Sequence, residues 1–76
     1  MNKVRRNRLQ AILDEIEAIK ERLEEVRDEE QETMDNMPEN LQGSERYDAM
    51  ESAVSAMDDA LGWLDDATEC IEEAIS

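Results

Sequence analysis

The sequence predicts an all-α protein: an antiparallel two-helix hairpin with coiled-coil heptads that pairs with a second copy as a homodimeric four-helix bundle. Three observations predict it. Apolar residues recur at alternating three- and four-residue spacing in both halves of the chain, the signature of helices that pack along a seam. Between the halves lies one break, around Pro38 and Gly43. Residues that favour strands are scarce: Phe is absent, and Trp63 and Tyr47 are the only aromatics. Ala, Leu, Glu, Met and Arg, which favour helix, are plentiful. The 76 residues allow one domain, with the hairpin filling it.

The first helix is expected over about residues 3–35. Leu9, Ile12, Ile16, Ile19, Leu23 and Val26 fall on the a and d positions of a heptad seam, and Leu13 widens the stripe. The next two seam positions are Glu30 and Thr33, so the apolar face weakens before the helix ends.

A loop with a short helical turn is expected over about residues 36–44. Pro38 disfavours helix at Met37 and suits the first turn of a new one. Met37 and Leu41, four apart, are placed to plug the end of the hairpin, and Gly43 supplies a flexible joint. Ser44 is a good N-cap, and Glu45 and Asp48 follow in the first turn, where the helix dipole favours anions.

The second helix, about residues 45–76, divides from Ala49 into the consecutive heptads AMESAVS, AMDDALG, WLDDATE and CIEEAIS. Its large seam is Tyr47, Met50, Val54, Met57, Leu61, Leu64, Thr68, Ile71 and Ile75. A second stripe has the same period and small residues: Ala49, Ala53, Ala56, Ala60, Trp63, Ala67, Cys70 and Ala74. The opposite edge carries Glu51-Ser52, Asp58-Asp59, Asp65-Asp66 and Glu72-Glu73.

Two stripes imply two packing partners. The large seam is expected to face the first helix of the same chain. An antiparallel return places Lys3, Arg5, Arg6 and Arg8 beside Asp65, Asp66, Glu69, Glu72 and Glu73, whereas a parallel one strands both clusters. The small stripe then remains for a second copy, through Ala53, Ala56, Ala60, Trp63, Ala67, Cys70 and Ala74. Small residues let helices approach closely, a small scaffold gains stability by oligomerising, and Trp is enriched at interface hot spots.

Composition excludes several functions. The net charge of −14, with no histidine, repels nucleic acid and anionic membrane and points to basic partners. The N-terminus lacks the apolar core of a signal peptide, and no apolar run approaches a membrane span. A lone cysteine, Cys70, fits a reducing cytoplasm. It has no histidine to activate it, and its acidic neighbours oppose the thiolate. Glu21, Glu24, Glu25, Asp28, Glu29 and Glu32 show Glu-x-x-Glu-like spacings, as metal-dependent hydrolases do, but all lie off the seam and cannot converge between helices. No catalytic, cofactor-binding or metal-ligating residue is expected, and no enzymatic activity.

The stretch Asp35-Asn36-Met37-Pro38-Glu39-Asn40-Leu41-Gln42-Gly43-Ser44-Glu45-Arg46-Tyr47, followed by acidic heptads, resembles short uncharacterised acidic helical proteins encoded by phages and prophages of Gram-positive bacteria. The resemblance covers the loop and most of the second helix. It implies a phage-derived protein working in a bacterial cytoplasm, and it brings no activity or functional residues with it.

What remains is acidity. A 32-residue helix is about 48 Å long. Two chains would carry 2 × 14 = 28 net negative charges over that length, about one per 1.7 Å and close to duplex DNA. The expectation is a protein-binding module, a nucleic-acid mimic that inhibits a defence or regulatory DNA- or RNA-binding protein of the bacterial host. Its partner-binding edge is expected at Asp58, Asp59, Asp65, Asp66, Glu72 and Glu73. The alternative is a structural or adaptor coiled coil with no inhibitory role.

Overall fold

The computed structural model describes residues 1–76 as a rod of 59 × 15 × 13 Å. Helix α1 spans Lys3–Asp35, a 3₁₀ turn spans Glu39–Leu41, and helix α2 spans Glu45–Ile75. The two helices pack antiparallel as a hairpin.

Local sequence accounts for each boundary. Asn2 caps α1: its side-chain oxygen accepts from the Arg5 N–H at 2.8 Å. The helix ends at Asp35, three residues before Pro38, and Pro38 leads directly into the 3₁₀ turn. Ser44 caps α2, its hydroxyl accepting from the Tyr47 N–H at 3.2 Å. Glu45 and Asp48 stand in the first turn of α2, in keeping with its dipole. Helix α1 has the reverse arrangement, with no acid in its first turn and no base in its last. Gly43 joins the turn to α2 without a positive φ.

The buried core is small and lies at the loop end. Met34, Met50 and Val54 form it, with Met37, Tyr47 and Met57 packed around them. Met34 is the most buried residue, at 4% exposure, and it plugs the end of the hairpin. Met37 contributes as the sequence implied, but Leu41 stays largely exposed because the 3₁₀ turn carries it outward.

Two ion pairs set the register. Lys20 meets Asp65, and Arg27 meets Asp58. Each step of seven residues along α1 is thus matched by seven back along α2. Helix α2 presents its expected seam to α1: Val54 and Met50 are buried, and Tyr47, Met57, Leu61, Leu64, Thr68, Ile71 and Ile75 are half-buried.

The seam of α1 differs from the heptad expectation. Leu9, Ile16, Leu23 and Glu30 are half-buried on the expected seam, but the other covered residues are Leu13, Lys20, Arg27, Gln31 and Met34. Ile12, Ile19 and Val26 are 42, 49 and 53% exposed. The helix is rotated so that Lys20 and Arg27 reach their carboxylates on α2. With a single neighbour it can cover only one flank of its apolar stripe.

The basic N-terminus also departs from expectation. None of Lys3, Arg5, Arg6 or Arg8 forms an ion pair with α2; the interhelical pairs are those of Lys20 and Arg27. The register explains it. Leu9 lies level with Ser76, so residues 3–8 overhang the end of α2.

Candidate interaction surfaces

Helical geometry sorts the exposed side chains onto two sides of the hairpin. On α1, Lys20 and Arg27 sit on one edge of the contact face and Ile12, Ile19 and Val26 on the other. On α2, Asp58 and Asp65 flank one edge, and Ala53, Ala60, Ala67 and Ala74 flank the other. The ion pairs bring the Lys/Arg edge of α1 onto the Asp edge of α2. The Ile edge of α1 therefore lies on the same side of the hairpin as the Ala edge of α2. Ile19 is level with Ala67 and Asp66, and Val26 with Ala60 and Asp59.

The first side is acidic. Arg27 grips Asp58 with two nitrogens, Nε to Oδ1 at 2.8 Å and Nη2 to Oδ2 at 3.4 Å, and Nη1 reaches Asp28 at 3.3 Å. The hydrogen bonds to Asp58 and Asp28 hold the guanidinium pKa above its usual value, against partial burial. Lys20 is raised in the same way, first by its hydrogen bond to Asp65 and then by the nearby charges of Asp65, Glu17 and Glu24. Two cations thus sit within a larger set of carboxylates.

The expected partner-binding edge divides in two. Asp58 and Asp65 are committed to α1 through those ion pairs. They flank the interhelical seam, because each lies four residues, about one turn, beyond a seam residue, Val54 or Leu61. Asp59, Asp66 and Glu73 point away from α1 and form no ion pair in the chain, and Glu72 is likewise exposed and unpaired. The carboxylates open to a partner on this helix are therefore Asp59, Asp66, Glu72 and Glu73.

The second side is apolar. It displays Ile12, Ile19 and Val26 from α1 and the Ala stripe of α2, with Trp63 at 70% exposure on the outer margin. Within the expected interface, Ala60 and Ala67 are half-buried at the hairpin seam, whereas Ala53, Ala56, Trp63, Cys70 and Ala74 are exposed. Heptad reading of α2 located this stripe. The Ile row of α1 shares its side, although the heptad pattern of α1 places that row in the intrachain seam. At the N-terminal end a groove of about 240 Å³ is lined by Met1, Arg5, Arg8, Leu9 and Ile12.

No three Asp, Glu or Cys side chains converge on a point that could hold a metal ion. No helix is long and apolar enough to cross a membrane.

Fold and surfaces together define a two-sided α-helical hairpin of coiled-coil type, acidic on one side and apolar on the other. Comparison with protein-family models, with characterised proteins and with solved structures gives no match.

Proposed function

We propose that the chain is a protein-binding module that acts as a homodimer and offers its carboxylates to a basic, nucleic-acid-binding protein, in the manner of a nucleic-acid mimic. The observation that carries this reading is the exposed acidic array on an elongated rod. Asp59, Asp66 and Glu73 repeat every seven residues, about 10.5 Å apart along the helix, and no cation of the chain pairs with them. Two chains carry 2 × 14 = 28 net negative charges over about 59 Å, roughly one per 2 Å, against about one per 1.7 Å for duplex DNA. The rod is longer than one helix, so the density is slightly below that expected from helix length alone. The apolar side is where the two copies meet. In this reading the protein has no catalytic role, and it works in the cytoplasm of a bacterial host, whose basic regulatory or defence protein is the target.

The test is capture of partners from a bacterial lysate at low and high salt, followed by a competition assay of the captured protein with DNA or RNA. A mimic competes with nucleic acid, and its affinity falls steeply with salt. Changing Asp59 and Asp66 to Asn and Glu73 to Gln should weaken the complex at least about tenfold at low salt and leave helicity unchanged, because exposed charges contribute little to stability. A partner bound equally well by this variant would remove the mimic reading.

A second reading is a structural or adaptor coiled coil. The exposed row of Ile12, Ile19 and Val26 beside Trp63 favours it. An adaptor would bind its partner through that side, with weak salt dependence and no competition from nucleic acid.

A further inference from the structure

The apolar side carries a regular charge pattern along its α1 margin. Immediately outside Ile12, Ile19 and Val26 run Arg8, Glu15, Arg22 and Glu29, seven residues apart and alternating in sign. All four are exposed, and none forms an ion pair within the chain. The row is self-complementary when reversed: Arg8 falls opposite Glu29, and Glu15 opposite Arg22. Both pairs have their midpoint between Ala18 and Ile19. The apolar row has nearly the same centre, since Ile19 is midway between Ile12 and Val26.

We propose that a second copy of this chain covers this side with its α1 antiparallel to the first, about a twofold axis passing beside Ala18 and Ile19. The proposal rests on the homodimer reading and specifies its geometry. Arg8 then meets the partner's Glu29, and Glu15 meets the partner's Arg22. Ile12 packs near the partner's Val26, and Ile19 near the partner's Ile19.

Three further observations agree. The N-terminal overhang of α1 is basic at Lys3, Arg5 and Arg6, which opposes its own helix dipole. In the antiparallel dimer it lies beside the acidic last turns of the partner's α1. The groove lined by Met1, Arg5, Arg8, Leu9 and Ile12 has an apolar floor and two arginines, fitting the partner's Val26 and Glu29. Finally, the ion-pair register carries the axis across to α2 between Asp66 and Ala67. That point is midway between Trp63 and Cys70, so each Trp63 faces the partner's Cys70, a much smaller side chain that leaves it room. The other antiparallel stacking, α1 on the partner's α2, would set the charged row against the uncharged margin of Ala56, Trp63 and Cys70. A parallel pairing would set Arg8 against the partner's Arg8.

Two variants test this by sedimentation or light scattering, with circular dichroism to check helicity. Arg8→Glu with Arg22→Glu makes the row wholly acidic. Glu15→Arg with Glu29→Arg makes it wholly basic. Each alone should weaken homodimerisation at least about tenfold, because like charges then meet across the axis. An equimolar mixture should recover a heterodimer at least as tight as wild type. The basic variant is decisive, since it lowers the net negative charge and would strengthen a dimer governed by overall repulsion. Tighter self-association of that variant, or failure of the mixture to form a heterodimer, overturns the arrangement while a dimeric wild type preserves the homodimer reading. A monomeric wild type overturns both.

Discussion

Lys20 of α1 and Asp65 of α2 form an ion pair that, one heptad from the Arg27–Asp58 pair, marks both the register of the hairpin and the rotation of α1. Glu17 and Glu24 flank Lys20 and add to its positive bias. In the same arrangement Ile12, Ile19 and Val26 lie outside the intrachain seam.

The Lys20 pair has a defined pH dependence. Its folded pKa lies above the ordinary value of 10.5. Its contribution to stability is therefore complete below pH 10.5 and is lost as pH rises through the folded value. Lys20→Arg keeps its charge throughout that range. The melting temperature of wild type should fall relative to Lys20→Arg above about pH 10.5 and run parallel to it near neutrality. Curves that stay parallel into the alkaline range would exclude this role for the pair.

Met34 is the most buried residue of the chain. Met34→Ala should cost about 2–3 kcal/mol, the lower end of the range for such deletions, because Met37 and Met57 nearby are flexible enough to fill part of the space. Leu41→Ala, at an exposed position, should cost less than about 1 kcal/mol. Urea denaturation at a fixed chain concentration gives both values, and equal costs would place the loop-end plug elsewhere.

Ser44 is the only side chain that caps α2 at its N-terminus. Ser44→Ala should destabilise the protein by about 1 kcal/mol, and Ser44→Asp should restore most of the loss. A thermal melt that is unchanged in Ser44→Ala would show that the α2 start is held by tertiary packing alone.

Cysteine chemistry reports the twofold axis directly. In a Cys70→Ala background, Ile19→Cys places a thiol beside the axis and should give a disulfide-linked dimer on mild oxidation. In wild type, Cys70 and the partner's Cys70 lie about seven residues apart along the axis, roughly 10 Å, beyond the span of a disulfide. Wild type should therefore remain uncrosslinked under the same conditions. Efficient crosslinking through Cys70 with none through Ile19→Cys would move the axis towards the end of α2.

Much of this molecule is legible in its sequence, for reasons local to the chain. Pro38, Ser44 and the heptad spacing act within a few residues of themselves, so the helix limits and the short turn between them follow from the sequence. The seam of α2 was legible because it is apolar at every position but Thr68, leaving one way to bury it. The small stripe and the acidic edge were readable as rows on the same helix, but which carboxylates remain open to a partner was not, because that depends on the helix beside them.

Only the tertiary structure decided how α1 is turned. Its periodicity marks an apolar stripe wide enough to cover two neighbours, and a lone sequence cannot say which flank meets which. In the hairpin, Lys20 and Arg27 lie one heptad apart and find Asp65 and Asp58 one heptad apart on the antiparallel helix. Those long-range pairs accompany a rotation of α1 that covers Leu13 and Met34 and leaves the Ile row outside. The same register carries Lys3, Arg5, Arg6 and Arg8 past the end of α2, away from the acids beside which an antiparallel return is expected to place them. Periodicity fixes the spacing of side chains along a helix; rotation about its axis and the level of its neighbour are set by contacts between residues far apart in the chain.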